Sequence, residues 1–132
     1  MANLATGNNA ALPHGAQAGV VLSATVDFSK NPLGATSTHN IINVPAGTWV
    51  YKTSVRVLKA NTGSSTRTFT VGDSADDDGY VAAMTAKTVA HAVGAGAFAA
   101  GKFYATASTI DLTSVEALDD GVVEFRALAF AL

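Results

Sequence analysis

Thr48-Trp49-Val50-Tyr51-Lys52-Thr53-Ser54-Val55-Arg56-Val57-Leu58-Lys59 is the longest stretch of the chain with the composition of a β-strand. β-Branched and aromatic residues dominate it, and such side chains suit a pleated, half-buried surface. Its alternation puts Trp49, Tyr51, Thr53, Val55 and Val57 on one face and Lys52, Ser54 and Arg56 on the other, which predicts a strand buried on one side. Pro45-Ala46-Gly47 precedes it and Asn61-Thr62-Gly63 follows it, and both read as turns. The run 66–71, rich in Thr and Phe, then reads as the return strand of a hairpin with 48–59.

Working outward, residues 20–28 alternate in the same way. Leu22, Ala24, Val26 and Phe28 share one face, and Ser23, Thr25 and Asp27 share the other. A strand over 36–44 stops at Pro45, which has no amide to give to a ladder. Residues 72–79 form an acidic loop. The Ala-rich residues 80–93 fit either a short strand and loop or one or two helical turns, and 94–101 read as a mobile Gly/Ala loop. Strands are expected over 102–107 and 109–112. Thr113-Ser114-Val115-Glu116 has the form of a capping box, which predicts a helical turn running to Leu118. After the turn Asp119-Asp120-Gly121 comes the last strand, 122–132. Its Leu128-Ala129-Phe130-Ala131-Leu132 end is apolar on both faces, as in a strand buried in the core or at a subunit interface. About seven or eight short strands with a turn signal about every ten residues predict an all-β chain, an antiparallel β-sandwich or jelly roll. Residues 1–19 read as an extended N-terminal arm and 20–132 as a single β-domain.

Composition narrows the function classes. A chain of 132 residues supports one core. Eight basic and ten acidic residues give a net charge of −2, which argues against a nucleic-acid binder, since phosphate neutralisation needs a basic face. With no cysteine there is no disulfide framework, thiolate metal site or cysteine nucleophile. Only 14% of residues are charged, against a usual value of about 25%, and a surface so poor in charge suits one covered by another protein. The first basic residue is Lys30, so the N-terminus lacks a signal peptide's basic region, and no run approaches the ~18 apolar residues of a membrane span. A soluble protein made in a cytoplasm, with no membrane partner, is expected.

The motifs that could carry chemistry are incomplete. Gly72-Asp73-Ser74 after a strand resembles the start of a serine esterase. Ser74 would then need a histidine held by a carboxylate, and no histidine stands in an Asp-x-x-His pair. In the acidic loop, Asp73, Asp76 and Asp78 are weak candidates for a calcium site. An EF-hand register ends on Thr85 where a bidentate Glu is required, so a solvated turn is the favoured reading. His14, His39 and His91 have no metal-ligand spacing. Gly94 and Gly96 lack the flanking strand and helix of a phosphate loop. Trp49, Tyr51, Phe69, Phe103, Tyr104 and Phe125 lack interleaved basic residues and read as core rather than as a base-stacking surface. No catalytic residue, metal or cofactor is expected.

Several phrases taken in order carry a resemblance. They are Val26-Asp27-Phe28-Ser29-Lys30-Asn31, Asn40-Ile41-Ile42-Asn43-Val44-Pro45-Ala46-Gly47-Thr48-Trp49-Val50 and Phe69-Thr70-Val71-Gly72-Asp73-Ser74-Ala75-Asp76-Asp77-Asp78-Gly79-Tyr80. Near the end stand Thr109-Ile110-Asp111-Leu112-Thr113, Ala117-Leu118-Asp119-Asp120-Gly121 and Val123-Glu124-Phe125-Arg126-Ala127-Leu128. Over residues 20–132 this order resembles the capsid decoration, or cement, proteins of tailed bacteriophages. The resemblance implies a compact β-sandwich or jelly roll without catalysis. It also implies a place on the outer surface of the virion, after assembly in the host cytoplasm, with the major capsid protein as partner. A tail, neck or fibre-associated phage domain is the alternative. A carbohydrate-binding β-sandwich, using Trp49, Tyr51 and Asp76 to Asp78, is a more distant one.

Self-association is expected as well, because a monomer rarely leaves an end as apolar as Leu128 to Leu132 exposed. A trimer is favoured over a dimer, since capsid lattices offer threefold positions. Leu4, Leu12, Leu128, Phe130 and Leu132 are the candidate oligomer or capsid contacts. The arm's two leucines gain roughly 3–6 kcal/mol on burial. Ordering so long a segment costs on the order of 20 kcal/mol. Its ordering therefore needs a neighbouring subunit or the capsid.

Overall fold

The computed structural model describes residues 19–131, which contain nine strands and no helix. No helix among them is long and apolar enough to cross a membrane. The strands are β1 (Val20–Asp27), β2 (Thr38–Val44), β3 (Thr48–Lys59), β4 (Thr68–Gly72), β5 (Val81–Thr85), β6 (Ala90–Val93), β7 (Lys102–Tyr104), β8 (Ser108–Ser114) and β9 (Val122–Ala131). One sheet runs β1-β9-β3-β6, with the short β7 also paired to β3, and the other runs β2-β8-β4-β5. All pairings are antiparallel.

The pairs β1–β9, β2–β8, β3–β6 and β4–β5 are nested one inside the next. A ribbon of nested antiparallel pairs, coiled so that β9 also meets β3 and β8 meets β4, is a jelly roll. Only β4 and β5 are both consecutive in sequence and paired side by side within the four-stranded sheet. This overturns the expected hairpin between 48–59 and 66–71. The turn at Asn61 carries the chain from one sheet to the other, so β4 pairs β8 and β5 instead. Asn61 is buried and holds that crossing: its N–H donates to the Ala86 carbonyl, its Nδ2 to the Asp120 carbonyl, and its Oδ1 accepts from Gly63.

The core lies between the sheets. Val50, Val55, Val57, Val123, Phe125, Ala127 and Ala129 project from one, and Ile42, Val44, Phe69, Val71, Ile110 and Leu112 from the other. Phe28, Leu33 and Leu118 close one end, with Leu33 and Leu118 joined by a single β-bridge. Leu22, Ala24, Val26 and Phe28 turn inward as their alternation requires. The β2–β3 turn follows from its sequence: Pro45 presets its own φ, and Gly47 takes a φ of 78°, which a side chain would resist.

Two further expectations fail for local reasons. The alternation read through Thr48–Lys59 breaks, because the β3–β9 register shifts between Val50 and Lys52 and leaves Tyr51 without a partner in β9. This β-bulge keeps Val50, Val55 and Val57 inside and turns Trp49 and Tyr51 outward, onto the side of Lys52, Ser54 and Arg56. Thr113 to Glu116 start no helix. Thr113 stays in β8, and Glu116 Oε1 accepts from the Thr68 N–H at 2.8 Å rather than capping its own turn. Of the two alternatives for residues 80–93, strand is the one found, as β5 and β6. Residues 94–101 are a loop, and it meets its neighbours at defined points: Phe98 N–H donates to the Gly79 carbonyl, Ala95 N–H to that of Tyr80, and the Phe98 ring stands edge-on to Tyr80 at 5.1 Å.

Candidate contact surface

The outward faces of the two sheets differ in chemistry. On the four-stranded sheet the outward side chains are Thr38, Asn40, Asn43, Thr70, Thr109, Asp111 and Thr113, and Thr38 and Thr113 share a hydrogen bond at 3.0 Å. On the five-stranded sheet Arg56 and Arg126 both pair with Glu124, at 3.0 and 3.2 Å. Such exposed pairs contribute little to stability. Further along β3 and β9 the face becomes aromatic. Trp49 packs edge-on to Tyr51 at 5.1 Å, and Phe130 lies 6.1 Å from Trp49 and 6.3 Å from Tyr51. Phe103, opposite Trp49 in the β7 register, is half exposed, and Val21 and Leu128 extend the patch across β9 to β1. Lys52 Nζ sits 5.1 Å from the centre of the Tyr51 ring.

Of the contact residues expected from the sequence, Leu128 and Phe130 lie in this patch, both half-buried. Leu4, Leu12 and Leu132, and all but the last residue of the 1–19 arm, lie outside the described residues, as does His14. Gly19 enters against the patch: a Cβ there would come within 3.0 Å of the Phe130 ring and 3.1 Å of Leu128. The aromatic residues expected in the core divide. Phe69, Tyr104 and Phe125 are buried, and Trp49, Tyr51 and Phe103 are on the outward face. Nothing local in the sequence marks the surface group, whose sidedness follows from packing. Val50 and Val55 are both fully buried although five residues apart, and an odd spacing requires a bulge between them.

The acidic loop divides too. Asp73 is 3% exposed and is no part of a solvated turn. Its Oδ2 accepts from Lys102 Nζ and, at 2.8 Å, from the Tyr104 hydroxyl, while its Oδ1 accepts from the N–H groups of Ala75 and Asp76. Tyr104 in turn shares a 2.7 Å hydrogen bond with Tyr80, whose hydroxyl burial pushes up to about 12. This chain of partners ties the loop to β7 and satisfies every member, as a buried polar network requires. Asp73 is thereby committed to Lys102. Asp76, Asp77 and Asp78 bring carboxylate oxygens within 4.8 Å of one another near the surface. EDTA is expected to leave the melting temperature unchanged. A fall of many degrees reversed by calcium would show that this cluster holds an ion in the fold. Ser74 lines a cleft with Asp73, Lys102, Phe103 and Tyr104, and among the described residues no histidine lines it. His39 Nε2 instead lies 3.1 Å from the Asn31 carbonyl oxygen, and His91 sits in β6.

The sequence matches no protein-family model and no curated protein. The fold does have counterparts among solved structures. A chain of the cyanophage Pam1 capsid asymmetric unit is 20% identical, with 93% of this chain and 92% of that one covered and a TM-score of 0.70. A chain of the Ralstonia phage GP4 capsid is 13% identical over 92% and 89%, with a TM-score of 0.69. One from the acidic stable capsid of Helicobacter pylori bacteriophage KHP30 is 17% identical over 85% and 86%, with a TM-score of 0.65. Over nearly its whole described length, the chain therefore has the fold of chains found in the capsids of three bacteriophages.

Proposed function

We propose that the chain is a non-enzymatic virion structural protein of a tailed bacteriophage that binds the outside of the capsid shell and stabilises it, as a decoration or cement protein does. The observation that carries this reading is the aromatic patch of Trp49, Tyr51, Phe103, Leu128 and Phe130 on one outward face, opposite a face of Thr and Asn. Large apolar side chains grouped outside a core mark an interaction site, and aromatic residues supply most of the energy at the centre of such sites. The likeness to capsid chains supports the shell as the surface met. Repetition around the lattice turns modest contacts into firm attachment, since each contact made raises the effective concentration of the next. The proposed partner is the major capsid protein.

Phe130→Asp tests the reading. The side chain already faces outward, so the domain is expected to keep its circular dichroism. Binding to shells assembled from the phage's major capsid protein should weaken about 30-fold or more, the effect of losing one hot-spot side chain of about 2 kcal/mol. Asn43→Asp, on the opposite face, should bind as the unaltered chain does. Equal co-sedimentation of the Phe130 variant and the unaltered chain would sink the proposal. Binding to tails but not shells would move the protein to the tail, and saturable binding to a polysaccharide would favour the carbohydrate reading.

A further inference from the structure

The four edges of the two sheets are not built alike. β6 and β7, at one edge of the five-stranded sheet, have four and three residues. In the other sheet, β2 carries a register shift between Asn40 and Ile42, and β5 is a five-residue strand whose pairing with β4 shifts between Phe69 and Val71. Short strands and bulges are how soluble proteins keep an edge from pairing with another chain. β1 has neither. It runs eight residues in unbroken register with β9, and Val20-Val21-Leu22-Ser23-Ala24-Thr25-Val26-Asp27 contains no Lys, Arg, Pro or Gly. Among the described residues, no hydrogen bond beyond the β1–β9 ladder reaches the backbone of residues 20–26. Val20 and Val21 are 53% and 62% exposed. Beside this edge lies a cleft of about 280 Å³ between Ala24, Thr25 and Val26 and the bulged part of β2 at His39, Asn40 and Ile41, with room for side chains of an added strand.

We infer that the β1 edge pairs with the β1 edge of a second copy, antiparallel about a two-fold axis, to make one continuous sheet. A two-fold contact sets a strand against itself, so the strand must be self-complementary. An axis perpendicular to the sheet keeps inner faces with inner faces, and centring it on Ser23 sets Val20 against Val26, Leu22 against Ala24 and Val21 against Thr25. Apolar residues then meet on the core side and small or β-branched ones on the outer side. Asp27, the only charge in the strand, meets Gly19 of the other copy and not another acid. Centring on Ala24 instead would set Asp27 against Val21 and leave Val20 uncovered. Each copy has one such edge, and a two-fold contact uses it up, which favours a pair over the trimer expected from lattice symmetry. The same axis turns both aromatic patches to one side of the pair. The pairing itself does not depend on what those patches bind.

The chain has no cysteine, so a single introduced thiol reads out the register. Directly opposed residues of an antiparallel pair have Cα atoms about 4.5–5.5 Å apart, within disulfide range. The full-length Ser23→Cys variant should oxidise to a covalent dimer. Val21→Cys should not, because its counterpart lies about four residues along the partner strand. The unaltered chain should sediment as a dimer. Ser23→Lys and Ser23→Glu should each be monomers with unchanged circular dichroism, and a mixture of the two should recover the dimer. A monomeric or trimeric unaltered chain, or equal cross-linking at residues 21 and 23, would overturn the inference. So would a monomer that dimerises only once residues 2–18 are deleted, since the edge would then belong to the chain's own arm.

Discussion

Asp73→Ala is expected to remove about 3–5 kcal/mol of folding stability, the usual cost of breaking a buried ion pair by deleting one partner. The carboxylate accepts from Lys102, Tyr104 and two backbone N–H groups, and all four donors lose it together. Lys102, whose side chain is 24% exposed, stays between the rings of Phe98 and Tyr104 with no counter-charge. The melting temperature should fall by about 10–20 °C. The loss also depends on pH. Burial alone would raise the Asp73 carboxyl, but the hydrogen bonds from Lys102 and Tyr104, with those from the Asp76 and Ala75 backbone, outweigh it and hold the group below its ordinary 3.8. A carboxyl held lower in the folded chain than in the unfolded one binds its proton less readily there. Its contribution is therefore complete above pH 3.8 and is lost as pH falls from 3.8 through the folded value. Denaturant titrations of both chains from neutral pH to pH 3 should show the stability gap narrowing at the acid end. A gap under about 1 kcal/mol at neutral pH, against the several expected for a buried pair, would show that the network does not hold the loop.

Deleting Tyr51 should leave the domain folded with the same side chains inside. The residue is the extra one in the β3 bulge, and without it Val50 and Val55 stand four residues apart instead of five. That even spacing lets β3 alternate from end to end, with Val50, Val55 and Val57 inward and Trp49, Lys52, Ser54 and Arg56 outward. The pairing with β9 then runs from Val50 opposite Ala129 to Lys52 opposite Leu128 with no residue left over. Tyr51 is 38% exposed, so the side chain lost is a surface one and the core is untouched. The melting temperature is expected to fall by a few degrees at most, and binding through the patch should weaken as one ring is lost. An insoluble product, or one without a cooperative transition, would mean that the bulge does more than set the sidedness of β3. Tyr51→Ala keeps the bulge and loses the same ring. It should fold as well, which separates the spacing from the side chain.

Where the strands lie was legible from residues alone. The bounds Thr48–Lys59, the start of β1 at Val20 and of β9 at Val122, and the turns at Pro45–Gly47 and Asp119–Gly121 follow from alternation, β-branching and the backbone freedom of Pro and Gly. These preferences act between residues a few positions apart, so they are written in the sequence next to the place where they act. Leu128 and Phe130 could be singled out on the same ground, because they break the alternation of their own strand. The partner of each strand was not legible. β4 pairs β8, more than thirty residues on, because the nested ribbon coils, and no local signal at 66–71 opposes a hairpin with β3. Nor was the side on which Trp49 and Tyr51 lie, since one unpaired residue in the β3–β9 register reverses it. Asp73 reads locally as part of a solvated turn, and Glu116 as the end of a capping box. Each is claimed by a donor far along the chain, Lys102 for one and Thr68 for the other. Local sequence thus determined which residues extend and where the chain turns. Packing the two sheets together decided which faces meet, which polar groups are satisfied inside, and which aromatic side chains are left outside.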